Sequence, residues 1–366
     1  MDRPGEEFGF ELKMRRLWLM AALVLPFCCR GEGAAPQLPA LIVFGDSTVD
    51  VGTNTYMATL VRSDFAPYGE NFEGGKPTGR FTNGHMVPDY LAMKLGLPMT
   101  LPYLHPNAEG ERLLHGVNFA SAASGILQST SLILNVLPAF EQLKMFHSYQ
   151  AKLVNLVGQD RASSIISQAM YLVSTGTNDF ILNYLINPIL RQQYSLAEWS
   201  DFVASNQTEF FKQLYAAGAR NMVVAGFPPI GCLPAERAIL GDEGQNGCVE
   251  DLNNISIAYN ERLQPALSQL QSTLPGARLL YADIYSYIHD AFYDPSQYGY
   301  SEVGRGCCGE GLFATAVFCN SASTGTCSDP STYMFFDSLH PTEKCYKAIV
   351  DQIYYKLAPF FGLKNS

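Results

Sequence analysis

Ala40-Leu41-Ile42-Val43-Phe44-Gly45-Asp46-Ser47 is an apolar run that ends on a glycine, an acid and a serine. Continuous apolarity marks a strand covered on both faces, as in parallel sheets; a half-exposed strand would alternate. Open α/β sheets bind their ligands beyond the carboxyl ends of their strands. A serine just past such an end stands where this architecture places chemistry.

Four further runs read as strands: 115–119, 170–174, 221–225 and 277–282. Between and after them lie amphipathic stretches with a period near 3.6, predicting helices over 85–95, 137–157, 196–217, 249–272 and 341–358. Gly218 is placed to close the third helix as a C′ glycine, and Pro265 to kink the fourth. Alternation of strand and helix predicts a parallel sheet with helices on both faces. The Gly/Pro-rich region 66–84 and the cysteine-rich region 303–332 read as insertions on one domain.

Ser47 needs a base. Of six histidines, only His340 has a carboxylate at short fixed spacing in a loop, in Asp337-Ser338-Leu339-His340-Pro341. Pro341 pushes His340 toward extended geometry and is expected at position N1 of the last helix. The carboxylate would hold one imidazole nitrogen and leave the other for the serine proton. Taken alone, the spacing Asp-x-x-His is a weak signal; the pairing with Ser47 gives it weight. Acyl chemistry also needs oxyanion donors. Gly125 ends a small-residue run after a strand, Asn178 offers a side-chain amide, and Ser47 has its own N–H. Val49 stands where a second glycine would complete Gly-x-Ser-x-Gly, so the sharp nucleophile elbow is not indicated. His85, His105, His115, His147 and His289 lack ligand spacing and read as structural or surface residues. Asp46 reads as a turn residue, and Arg80 as half of a structural ion pair.

Hydrophobic content of 47% and charged content of 16% describe a well-cored globular chain. The formal charge is −10. No basic block or aromatic-basic stripe accompanies it, which argues against nucleic acid as a partner. Lys13, Arg15 and Arg16 precede thirteen apolar residues, Leu17 to Cys29. That length suits a signal-peptide core and falls short of the ~20 residues a spanning helix needs. We expect a signal segment over 1–33, a single domain over 34–366, no integral membrane association, and secretion to the extracellular space, cell wall or vacuole. Seven cysteines follow Cys29. None forms a Cys-x-x-Cys zinc pair, so no metal site is indicated. Cys232 and Cys248 bracket a loop they can close; Cys307 and Cys308 pair outward to Cys319 and Cys327, and Cys345 is left as the odd, buried thiol. Of two glycosylation sequons, Asn254 lies opposite its helix's apolar stripe and Asn206 lies within one, so the glycan is expected at Asn254.

Seven stretches together resemble the plant-type GDSL esterase/lipase family of the SGNH hydrolase superfamily: VFGDSTVDVGTN (43–54), GGKPTGRFTNGHMVPDYLA (74–92), GVNFASAASGIL (116–127), STGTNDF (174–180), GFPPIGCLP (226–234), CCGEGLF (307–313) and FFDSLHPTEK (335–344). The resemblance runs from about Leu41 to Leu357. It implies a flavodoxin-like three-layer α/β/α sandwich with a five-stranded parallel core. It also implies Ser47 as nucleophile, His340 as base, Asp337 as its partner, and Gly125 and Asn178 as oxyanion donors. Two departures stand out. The family has glycines where Ala122 and Ala123 stand, and consecutive asparagines where this chain has Thr53-Asn54-Thr55. The expected activity is hydrolysis of small-molecule acyl esters through an acyl-serine, with no cofactor. The residues leave two rivals open: an acyltransferase or polyester synthase that passes the acyl group to an alcohol, and a non-catalytic binding or defence protein on the same frame.

Overall fold

The computed structural model describes residues 38–241, 247–309, 313–322 and 325–363. The expected signal segment 1–33 lies outside them. Four parallel strands pair in the order β1 (Leu41–Gly45), β2 (Met170–Ser174), β3 (Asn221–Ala225) and β4 (Arg278–Ala282). The predicted strand at 115–119 does not form a regular strand. It runs beside β1 as an edge segment held by Val43 N–H to Val117 O, Phe119 N–H to Val43 O and Ser121 N–H to Gly45 O. Gly116 explains the shortness: it has φ +96°, and a Cβ there would lie 1.9 Å from the Leu41 carbonyl oxygen. The chain joins β1 only after that glycine. Counting the edge segment, the spatial order is second, first, third, fourth, fifth along the chain, the flavodoxin-like order, whose switch point lies between β1 and β2.

Alternate residues of the strands build two cores. Ile42, Phe44, Tyr171, Val173, Met222 and Val224 face one side. Leu41, Val43, Met170, Leu172 and Val223 face the other. That period of two makes a fully apolar strand necessary in a three-layer sandwich. The second face is covered by α1 (Val87–Leu95) and by the C-terminal helix. The first is covered by α2 (Ala139–Val157), α3 (Gln159–Gln168), α4 (Leu196–Ala216) and α6 (Glu250–Thr273), with α5 (Pro234–Leu240) and α7 (Tyr285–Tyr293) in the connections around β3 and β4. The C-terminal helix is α8 (Glu343–Phe361). A small second sheet pairs β5 (Glu302–Gly306) with β6 (Tyr333–Phe335).

Gly218 follows α4 with φ +106°, as a C′ glycine should. Helix α6 continues through Pro265. Pro341 is not at N1 of the last helix. Thr342 is the N-cap, its hydroxyl accepting from Cys345 N–H at 3.4 Å, so Pro341 lies one residue before the cap. A threonine side chain can satisfy an orphan donor of the first turn and a proline cannot, which shifts the start by two residues. Among the described residues three disulfides close, Cys232–Cys248, Cys307–Cys327 and Cys308–Cys319, with Cys345 free and buried. No described helix is long and apolar enough to cross a membrane.

Candidate active site

Gly45 ends β1 and turns the chain out of the sheet. Its φ is +146°, and a Cβ would meet the Ser174 carbonyl oxygen at 2.1 Å, so only glycine lets β1 end this close to β2. Asp46 then makes the turn: Oδ1 accepts from Thr48 N–H at 3.0 Å and from the Thr48 hydroxyl at 2.7 Å. Burial pushes the Asp46 carboxyl up, against those donors. Ser47 emerges half-buried, its N–H without a partner among the described residues.

The loop before α8 meets it. Ser47 Oγ and His340 Nε2 are 2.8 Å apart, though 293 positions separate them in sequence. On the other side of the ring, His340 Nδ1 lies 2.8 and 2.7 Å from the two Asp337 oxygens. With Nδ1 facing a carboxylate, the ring proton belongs there and Nε2 carries the lone pair. Asp337 is fully buried and surrounded by donors. Oδ1 accepts from the Leu339 and His340 N–H groups at 2.8 and 2.7 Å. Oδ2 accepts from the Tyr68 hydroxyl at 2.6 Å and the Thr315 hydroxyl at 3.0 Å. Burial alone would raise the Asp337 carboxyl, but the His340 ring and these donors outweigh it and hold it below the ordinary value. Tyr68 and Thr315 were not legible from the sequence. Each comes from one of the two regions read as insertions.

Asn178 follows β2, across the switch point from Ser47. Its Nδ2 donates to Ser124 O at 2.8 Å, which spends one amide hydrogen and leaves the second. Asn178 is anchored by its neighbour Asp179. That carboxylate accepts from the Ile126 and Leu127 N–H groups at 2.8 and 3.1 Å and from the Thr130 hydroxyl at 2.5 Å. Burial pushes Asp179 up to about 7 despite those donors. Gly125 packs on this carboxylate: a Cβ there would lie 2.3 Å from Asp179 Oδ1. Its N–H already donates to Ser131 Oγ at 3.3 Å. Two residues earlier stands Ala123, with φ +63° and an N–H that has no partner among the described residues. Ala123 is one of the alanines where the resembled family has glycine. Left-handed backbone at this position gives that glycine a physical reason.

The surrounding loops are cross-tied. Asp50 Oδ1 accepts from Gly52 and Thr53 N–H at 2.8 and 2.6 Å, while Oδ2 accepts from Ala122 N–H at 3.0 Å. Burial pushes Asp50 up to about 6. Arg80 pairs with buried Asp89 through two bonds of 2.8 and 2.7 Å and also donates to Val51 O, the structural role expected of it. His85 bridges Glu343 and Glu73 on the protein's flank, at 2.6 and 3.0 Å. Among the sequons, Asn254 is exposed, whereas Asn206 is half-buried and donates to Phe202 O.

A family model described as GDSL-like Lipase/Acylhydrolase matches residues 41–353. Among curated proteins, the chain is 43% identical over 328 residues to GDSL esterase/lipase APG of Arabidopsis thaliana, covering 89% of this chain and 93% of that one. It is 39% identical over 344 residues to GDSL esterase/lipase At5g03810 of the same plant, covering 93% and 98%.

Proposed function

The chain belongs to the GDSL-like lipase/acylhydrolase family, and on that premise we propose that it is a secreted serine esterase that hydrolyses acyl esters through an acyl-Ser47 intermediate. Ser47 Oγ attacks the ester carbonyl carbon while His340 Nε2 takes its proton. Asp337 stays ionised, holds the ring in the Nδ1–H tautomer and faces the imidazolium that forms. The carbonyl oxygen becomes an oxyanion among the Ser47 N–H, the free amide hydrogen of Asn178 and a backbone N–H of the 121–125 turn. In this reading that third donor is the Ala123 N–H and not Gly125, whose N–H is committed to Ser131. Collapse expels the alcohol, which takes the proton from His340. Water then attacks the acyl-serine by the same route, releasing the acid. No step requires a metal or an organic cofactor.

The single observation that supports this reading is the 2.8 Å contact between Ser47 Oγ and His340 Nε2, backed by the His340–Asp337 pair. The three disulfides and the N-terminal apolar segment support secretion, with a signal over 1–33, one hydrolase domain over 34–366 and a glycan at exposed Asn254. The test is turnover of p-nitrophenyl acetate by wild type, Ser47→Ala and His340→Ala, with circular dichroism to verify the fold. Both variants are expected to be inactive and folded. Wild-type turnover retained by folded Ser47→Ala would overturn the reading.

A further inference from the structure

Helix α2 buries an apolar stripe, Ala139, Leu143, Phe146, Tyr149 and Leu153, in the core on one face of the sheet, and Gln142 stands in that stripe fully buried. An amide in such company is costly unless its bonds are made. Its main partner lies at the end of β1, 97 positions away. Oε1 accepts from Gly45 N–H at 2.9 Å, and Nε2 donates to Gly45 O at 2.9 Å. Nε2 also reaches Ser124 Oγ at 3.2 Å and Leu137 O at 2.9 Å. Turning the amide over would set oxygen against oxygen, so the network fixes its orientation.

The grip on Gly45 takes the place of a ladder rung. The edge segment pairs with β1 through Val43 N–H to Val117 O, Phe119 N–H to Val43 O and Ser121 N–H to Gly45 O. One further step of that parallel pattern would send Gly45 N–H to the Phe119 carbonyl. The Gln142 amide receives it instead. One clamp thereby joins two loops. Gly45 lies two residues before Ser47. Ser124, whose hydroxyl also donates to Gly45 O at 2.8 Å, belongs to the turn that carries Ala123, and its carbonyl accepts from Asn178.

We propose that Gln142 is a positioning residue for ester hydrolysis: it holds the Ser47 turn at a fixed offset from the 121–125 turn, so that the attacking oxygen and the oxyanion donors meet the same carbonyl group. Buried as it is, it acts through Gly45 and Ser124 and not on the substrate. This inference rests on the reading of Ser47 as nucleophile.

The experiment measures kcat and KM for p-nitrophenyl acetate with wild type, Gln142→Leu, Gln142→Glu and Ser47→Ala, at a temperature where melts show the protein folded. Gln142→Leu removes the clamp, and kcat falls roughly ten- to a hundred-fold with KM held, the scale of a misplacement of about 1 Å. Gln142→Glu is isosteric. Protonated, it accepts from Gly45 N–H and donates to Gly45 O; ionised, it sets a charge against that oxygen. Its kcat relative to wild type at the same pH is therefore near wild type in acid and falls as pH rises. An amide that only stabilises the fold gives no such profile in folded protein. This variant decides if Gln142→Leu fails to fold. Turnover that survives Ser47→Ala overturns the hydrolase reading itself. With Ser47-dependent turnover, the positioning role alone is overturned by wild-type kcat in folded Gln142→Leu or, where that variant does not fold, by a Gln142→Glu ratio that stays flat from acid to alkaline pH.

Discussion

Replacing Asn178 by alanine separates a transition-state donor from a structural amide. The side chain is buried, with one hydrogen held by Ser124 O at 2.8 Å. Losing that bond leaves a buried carbonyl short of a partner and costs about 1 kcal/mol of stability. The second hydrogen has no task in the resting protein, so its loss is felt only when the oxyanion forms. Removal of such a donor costs about 2.7–4 kcal/mol, which is roughly two to three orders of magnitude in kcat. KM should hold, because the interaction is made in the transition state. Asn178→Asp should be worse than alanine, since it points an acceptor at both Ser124 O and the forming oxyanion. Initial rates with p-nitrophenyl acetate, paired with thermal melts, read both quantities. An Asn178→Ala enzyme with wild-type kcat refutes the donor assignment. A kcat loss that merely follows the melting temperature refutes the transition-state argument.

Tyr68→Phe strips a 2.6 Å donor from Asp337 and orphans Ala316 N–H, so it should cost about 1.5–3 kcal/mol. The lowered Asp337 carboxyl contributes stability that is present above the ordinary carboxylate value and lost as pH falls through the folded one; without Tyr68 the acid-unfolding midpoint should move up, and an unmoved midpoint counts against the bond. Ala123→Gly relieves a left-handed alanine at φ +63° and should raise stability by about 0.5–1 kcal/mol in urea titration while keeping activity; destabilisation would show that the turn carries no strain. Asp50, Asp179 and Glu236 have folded values raised to about 6, about 7 and about 7 by burial. Between their unfolded values and these, the folded protein binds more protons, so stability falls as pH rises from about 4 to 7. Melting should therefore be higher at pH 5.5 than at pH 7.5, and a flat profile would contradict the burial argument.

The architecture was legible because β1, β2 and β3 are buried on both faces, so strongly polar side chains enter only at strand ends, Ser174 of β2 and Asn221 of β3. The edge segment was misread as a regular strand because apolar content cannot reveal that Gly116 rides on the Leu41 carbonyl. Ser47, Asp337 and His340 stood out because their chemistry is local: a strand end, and an acid three residues before a histidine. Tyr68 was invisible, since its hydroxyl meets Asp337 across 269 positions and nothing in its own neighbourhood announces a carboxylate. Ala123 was visible only as an alanine in a glycine's place, and Gly125 drew attention as the remaining glycine of that run. Our proposal of Ala123 over Gly125 as a donor rests on the backbone φ of one and the committed N–H of the other, and neither can be read from residue names. Asp179 was hidden the same way, its three donors coming from Ile126, Leu127 and, in the short helix Gln128–Leu132, Thr130.

Labelling with a fluorophosphonate, mapped by peptide mass spectrometry, tests most directly whether His340 makes the Ser47 hydroxyl a nucleophile. The native protein should carry one adduct, on Ser47, and folded His340→Gln should label far more slowly. No adduct at Ser47, or equal labelling in His340→Gln, would contradict the account.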